Sequence, residues 1–169
     1  MTETNPNFLI VHTSWYEEHI DNMVFIASKE LDFFQTRPLC VPGALELAAE
    51  AKRFLTNEEY EKIDIVNPAN PVWDNVRGII FCGIIMRGET SHYDLVTRET
   101  FRSIGCLALE FPDIFMVNNV ICVDNENQLA ERLEKTTKNN ARSLKNMCKG
   151  IRSRAFAWEE VDPNDGGFS

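Results

Sequence analysis

No apolar run in the 169-residue chain approaches the ~18 residues of a membrane-crossing helix. The opening Met-Thr-Glu-Thr-Asn-Pro-Asn has neither the basic start nor the apolar stretch of a signal peptide, so a cytoplasmic chain is expected. Positive charge is scarce as well: 17 Lys and Arg stand against 26 Asp and Glu, a net charge of −9. Such a surface repels phosphate backbones and anionic lipid, which argues against nucleic acid and membrane as partners. The five cysteines contain no C-x-x-C pair, and His12, His19 and His92 show no zinc spacing with them or with each other. No metal site is expected. Cys82 and Cys122 fall inside apolar runs, where a thiol behaves as a small hydrophobe, so the cysteines are expected to be reduced and mostly buried. What remains is an ordinary globular balance, 44% hydrophobic and 25% charged, at a length that suits one core. Residues 1–169 are therefore read as a single domain, with an N-terminal arm at 1–7, a loop insertion at 56–76 and a disordered acidic tail at 159–169.

Strand and helix signals alternate along it. Phe8 to Val11 is a short apolar run, and the acidic turn at Glu17-Glu18 then opens a helix with a stripe of Ile20, Met23, Val24, Ala27, Leu31 and Phe34. Leu39-Cys40-Val41 is extended, Pro42-Gly43 turns the chain, and Ala44 to Arg53 is rich in helix formers. Gly78 to Met86 is continuously apolar, as a strand covered on both faces must be. From Tyr93 onward Leu95, Val96, Phe101, Ile104, Leu107 and Ala108 fall at helical spacing, and Met116 to Val123 returns to strand. The last helix runs from about Gln128 to Arg152, with Leu129, Leu133, Leu144, Met147, Cys148 and Ile151 facing in and a capping box at Asn125 to Gln128. This alternation predicts an α/β fold: about four parallel strands with helices on both faces, and exposed edges that invite self-association.

Ligands of such sheets bind beyond the carboxyl ends of the strands. The richest junction there is Arg87-Gly88-Glu89-Thr90-Ser91-His92-Tyr93-Asp94. A strand ends, glycine permits a turn, and Ser91 with Asp94 can cap a new helix whose free N–H groups suit an anion. His92 in that first turn has an imidazole that exchanges protons near neutrality, although a capping or surface role is equally compatible with its position. Arg87 fits an ion-paired strand end. Arg132, behind the Asn125–Gln128 cap, could clasp a phosphate or pair with Glu131, Glu134 or Asp124. Trp15 offers a flat ring for stacking on a heterocycle, and Glu46 a carboxylate at a helix start.

Taken together, the Trp15 loop, Val41-Pro42-Gly43-Ala44-Leu45-Glu46, the Arg87 to Asp94 stretch and Asn125 to Arg132 resemble the lumazine synthase family, with the likeness running from about Phe8 to Ile151. The resemblance implies a flavodoxin-like three-layer αβα sandwich around a four-stranded parallel sheet. It implies condensation of 5-amino-6-ribitylaminouracil with 3,4-dihydroxy-2-butanone 4-phosphate to 6,7-dimethyl-8-ribityllumazine, a step of riboflavin biosynthesis that uses no cofactor and no metal. It further implies homopentamers, or multiples of pentamers, with each site shared between neighbours. Carried to this chain, Trp15 would stack on the pyrimidine, Ala44, Leu45 and Glu46 would hold the ribityl chain, and Ile84 and Ile85 would meet the ring through their backbone. Glu89 and Thr90 would offer N–H groups to phosphate, His92 would move protons, and Arg132 would reach the phosphate from an adjacent subunit.

The chain departs from that pattern in places. Tyr16 stands where many members have Asn, Leu45 where an aromatic is frequent, and Asn118 where many have a Phe that closes over the pyrimidine. The family's basic Lys-Gly element has its nearest counterpart in Lys138. A lumazine or flavin carrier on the same scaffold would keep Trp15 and the ribityl contacts but would need neither His92 nor an anion site. An archaeal-type riboflavin synthase would dismutate two lumazines without a phosphate substrate.

Overall fold

The computed structural model describes residues 7–57 and 76–150. Four strands, β1 (Asn7–Thr13), β2 (Thr36–Val41), β3 (Val76–Met86) and β4 (Phe115–Val123), form one parallel sheet in the order β2-β1-β3-β4. Four helices alternate with them: α1 (Glu17–Leu31), α2 (Leu47–Thr56), α3 (His92–Glu110) and α4 (Glu126–Cys148). The chain leaves β1 toward β2 and then returns past β1 to β3, so the direction of winding reverses between β1 and β3. That reversal opens a crevice beyond the carboxyl ends of these two strands.

The period of two along each strand divides the core into two layers. Leu9, Val11, Phe81 and Ile79 pack with Leu47, Ala51, Phe54, Ile104 and Leu107 under α2 and α3. Phe8, Ile10 and Ile80 pack with Ile20, Met23, Ala27, Leu31, Leu129, Leu133 and Leu144 under α1 and α4. The result is the three-layer α/β/α sandwich expected. β3 is central and buried along nearly its whole length, as its unbroken apolar run requires. Gly78 lets α4 close on it, because a Cβ there would come within 2.9 Å of Phe8 Cδ1 and 3.0 Å of Leu144 Cδ1.

α4 is also fixed by a buried polar cluster. Asn119 of β4 donates through Nδ2 to Thr137 Oγ1 at 3.0 Å and accepts from Asn140 Nδ2 at 2.9 Å. Asn119 also donates to the thiol of Cys82 at 3.6 Å, and burial pushes that thiol up to about 12. The expected cap is present: Asn125 Oδ1 accepts from Gln128 N at 3.0 Å, while Gln128 Oε1 accepts from Asp124 N at 2.8 Å.

Several expectations are corrected. Phe34 does not continue the α1 stripe; the chain breaks at Asp32, with φ 101°, into a separate 3-10 turn, and Phe34 is 75% exposed. The helix expected from Ala44 begins as a 3-10 turn, Ala44–Glu46, and becomes α-helical only at Leu47. Of the apolar residues at helical spacing on α3, Ile104 and Leu107 are buried, joined by Thr100, whereas Leu95 is 64% exposed and Phe101 is also exposed. Met147 is exposed rather than inward. All five thiols are free, as expected, yet only Cys82 is buried; Cys40 and Cys106 are exposed. The insertion expected at 56–76 has its ends inside regular elements, Thr56 closing α2 and Val76 opening β3, and its interior lies outside the described residues, as do Ile151, the acidic tail and all of the N-terminal arm except Asn7.

Candidate active site

At the first junction the chain leaves β1 through Thr13 and Ser14, and Ser14 Oγ donates to Pro42 O at 3.0 Å, tying this loop to the next one. Tyr16 takes a left-handed conformation, φ 61° and ψ 51°, that a non-glycine residue adopts at a cost of ~1–3 kcal/mol. It occupies the N-cap of α1 without a side-chain bond, and beside it Trp15 stands 70% exposed. A large aromatic held out of the core at a strand end is placed to meet a flat partner.

At the second junction Pro42-Gly43 leads into the Ala44–Glu46 turn, closed by Glu46 N donating to Gly43 O at 3.3 Å. The Glu46 carboxylate folds back over Gly43, where a Cβ would lie 3.1 Å from Oε2. Glu46 is the N-cap of α2 and makes no side-chain capping bond, so its oxygens stay available at a positive helix end.

The third junction follows β3. Arg87 N donates to Val123 O at 2.9 Å, and its guanidinium donates to Asp124 Oδ1 at 2.9 Å and to Asp94 Oδ1 at 3.4 Å while lying 4.1 Å from the centre of the Tyr93 ring. Beyond it, Gly88, Glu89, Thr90 and Ser91 form an exposed loop into α3, which His92 opens. The expected cap by Ser91 and Asp94 is not formed. Ser91 makes no side-chain cap, Asp94 is drawn to Arg87, and Thr90 Oγ1 accepts from His92 N at 3.4 Å instead. Asp94 N donates to Ser91 O at 3.1 Å, so the first turn of α3 is closed locally, and its positive end stands beside the imidazole in the cleft wall.

These three junctions enclose one cleft of about 350 Å³ between the ends of β1 and β3. Trp15, Ala44, Leu45, Glu46, Ile84, Ile85, Thr90 and His92, each singled out from sequence, line it together. Glu89 sits in the loop between two lining residues, Gly88 and Thr90, without lining the cleft itself. Two candidates lie apart within one chain. Asn118 is midway along β4, paired in register with Phe81, and its Oδ1 accepts from Val120 N at 2.9 Å. Arg132 is exposed on α4 and absent from the cleft wall, and one carboxylate expected to pair with it, Asp124, is taken by Arg87. Thr13, Tyr16, Tyr93 and Val96, to which the sequence assigned no binding role, also line the cleft. Tyr93 carried a signal, being an aromatic in the same turn as His92; Thr13 carried none.

Among the described residues no group of three or more His, Cys, Asp or Glu side chains converges as a metal site would require, and no helix is long and apolar enough to cross a membrane. His12 and His19 lie away from the cleft; His19 pairs with Glu126 at 3.4 Å across the starts of α1 and α4.

The model of the 6,7-dimethyl-8-ribityllumazine synthase family matches residues 5–151. Among relatives of that description, the protein of Erythrobacter litoralis is 29% identical over 134 residues, covering 78% of this chain and 82% of its own. That of Novosphingobium aromaticivorans is 27% identical over 130 residues, 75% of this chain and 80% of the relative. The Neisseria gonorrhoeae protein is 31% identical over 93 residues, which is 55% of this chain and 48% of the relative.

Proposed function

The chain belongs to the 6,7-dimethyl-8-ribityllumazine synthase family, and on that premise we propose that its cleft condenses 5-amino-6-ribitylaminouracil with 3,4-dihydroxy-2-butanone 4-phosphate. The observation that carries the reading is the convergence of Trp15, the Ala44–Glu46 turn, Ile84, Ile85, Thr90 and His92 on one cleft at the reversal of the sheet. It is a cofactor-independent transferase reaction that releases phosphate and water.

Each wall has a part that suits its chemistry. The Trp15 ring stacks on the pyrimidine, and the Ala44–Glu46 turn binds the ribityl chain, with the Glu46 carboxylate accepting from its hydroxyls. Ile84 and Ile85 hold the ring edge through backbone groups. The loop at Glu89 and Thr90, at the start of α3, receives the phosphate on N–H groups supported by the helix dipole. His92 carries protons as the imine forms and as phosphate departs. The attacking amine is already a nucleophile, so the largest gain comes from holding both substrates together, an effect worth up to ~7–11 kcal/mol.

The phosphate position still needs a cation from outside this chain's own cleft. Arg132 supplies it from an adjacent subunit, and Asn118 approaches the pyrimidine across the same boundary. Exposed Leu45, Leu95 and Leu109, the last at 84%, support burial against another copy. The assembly is a pentamer or a multiple of pentamers, working in the cytoplasm. Mixing the purified protein with both substrates tests the reading: the lumazine chromophore and free phosphate should appear in equal amounts, and sedimentation of the same sample should give a multiple of five chains. A protein that binds lumazine but forms none would be a carrier. Lumazine consumed to riboflavin without any phosphate substrate would identify a riboflavin synthase instead.

A further inference from the structure

Thr13 ends β1 on the sheet face shared by Leu9 and Val11, the face that carries α2, α3 and the cleft. It is 2% exposed and lines the cleft. Its methyl group is turned toward β3, where a Cβ added at Gly83 would meet Thr13 Cγ2 at 3.3 Å. Its hydroxyl oxygen is shut off from solvent and has no hydrogen-bond partner among the described residues. The adjacent Ser14 differs: its hydroxyl is satisfied by Pro42 O.

A buried hydroxyl without a partner costs free energy that a valine of nearly the same shape would avoid. Asn7 Oδ1 and Thr100 Oγ1 are also unpaired, yet neither residue lines the cleft. Of these three residues, Thr13 alone lines the cleft. We propose that Thr13 is a substrate contact, its side chain turning about χ1 so that Oγ1 exchanges its partnerless position for a hydrogen bond to the ribitylaminopyrimidine once that molecule enters the cleft. This rests on the reading of the cleft given above and adds to it a residue that selects the substrate. The pyrimidine half is the partner because Thr13 lies between the Trp15 loop and the Pro42-Gly43 turn, whereas the phosphate loop belongs to the end of β3. A hydroxyl can donate to a ring carbonyl and accept from an N–H or a ribityl hydroxyl, which the apolar wall cannot do. Sites built around such a group discriminate strongly against analogues lacking the partner atom.

Thr13→Val keeps the shape and removes the hydroxyl; Thr13→Ser keeps the hydroxyl. With each substrate varied in turn, Thr13→Val should raise the KM for the pyrimidine about three- to tenfold, leave that for the butanone phosphate within about twofold, and unfold no more easily than wild type. Thr13→Ser should stay close to wild type. Binding of the pyrimidine alone, followed by quenching of tryptophan fluorescence, should weaken by the same factor in Thr13→Val. An unchanged pyrimidine KM and affinity in a folded Thr13→Val protein would overturn the proposal, as would equal rises in both KM values. A wild-type chain that binds the pyrimidine without making lumazine would sink the catalytic reading but leave the Thr13 contact to be decided by the binding comparison. A wild-type chain that does not bind it would sink both.

Discussion

The Arg87 guanidinium donates through Nε to Asp124 Oδ1 at 2.9 Å, locking the carboxyl end of β3 to that of β4. The same group covers the Tyr93 ring and reaches Asp94 in the first turn of α3. The anion loop, residues 88–91, therefore hangs between two anchored points. Asp124 also precedes the Asn125 cap of α4, so one side chain sets both the start of α3 and the start of the helix that bears Arg132. With two carboxylates around it, Arg87 acts as a strut rather than as a phosphate ligand; its bond to Asp124 raises its pKa further, so the charge persists at every working pH.

Arg87→Gln should accordingly cost little stability, since the pairs are about half exposed and screened by water. Loosening the loop should instead raise the KM for the butanone phosphate by roughly threefold to tenfold, equivalent to about 1 kcal/mol. The pyrimidine KM should hold. Steady-state kinetics with each substrate varied separates the two, and equal KM values in variant and wild type would show that the loop keeps its shape unaided.

His92→Ala should slow turnover without ending it. Proton transfer by a positioned group supplies ~10²–10⁴-fold, and a reaction whose nucleophile needs no activation belongs at the lower end. The expected loss in kcat is about 10²-fold, with both KM values little changed. An inactive variant with intact assembly would make the imidazole more central than its place beside the helix start suggests.

The alternation of strands and helices was legible because burial imposes a period on apolar residues, and β3 stood out because a strand covered twice needs no polar side. The Asn125 cap was equally plain, being a local pattern with a local cause. Phe34 was misread because the break at Asp32, a backbone angle, interrupts a stripe that the residue pattern alone continues. Leu95 and Phe101 keep the helical spacing yet are exposed, because periodicity identifies an apolar flank but not what covers it. Ser91 was expected to cap α3, yet Asp94, the other half of that cap, is drawn away by Arg87, just past the end of β3. Thr13 left no trace, since an unpaired hydroxyl is a property of its surroundings and not of the chain around it.

Stability should fall above neutrality through Cys82. Burial holds its thiol at about 12, against ~8.5 for an exposed one, so the folded state keeps the proton to higher pH than the unfolded chain. The contribution is fully present below the unfolded value and is lost as pH rises toward 12, at up to about 1.4 kcal/mol per pH unit. Cys148, pushed up to about 11 by burial, acts in the same direction with less weight because it is partly exposed. Urea unfolding at fixed protein concentration from pH 8 to 10.5 should show a steeper decline for wild type than for Cys82→Ala. Parallel slopes would mean that the thiol opens to solvent before the fold is lost.

Arg132 allows the shared site to be tested without a structure of the assembly. Arg132→Ala should chiefly raise the KM for the phosphate-bearing substrate, by about 10-fold or more, because a charge-assisted bond is worth ~1.5–3 kcal/mol. That alone does not say whose cleft the guanidinium serves. Co-expression with His92→Ala does. If each cleft takes its imidazole from one chain and its guanidinium from the next, a boundary between an Arg132→Ala chain and a His92→Ala chain unites both defects in one site and leaves the opposite boundary wholly native. At butanone phosphate concentrations well below the Arg132→Ala KM, mixed oligomers should then be more active than either parent, with wild-type KM for that substrate in the recovered fraction. If Arg132 serves its own cleft, every site in the mixture keeps a defect, and activity stays at the average of the two parents at every mixing ratio.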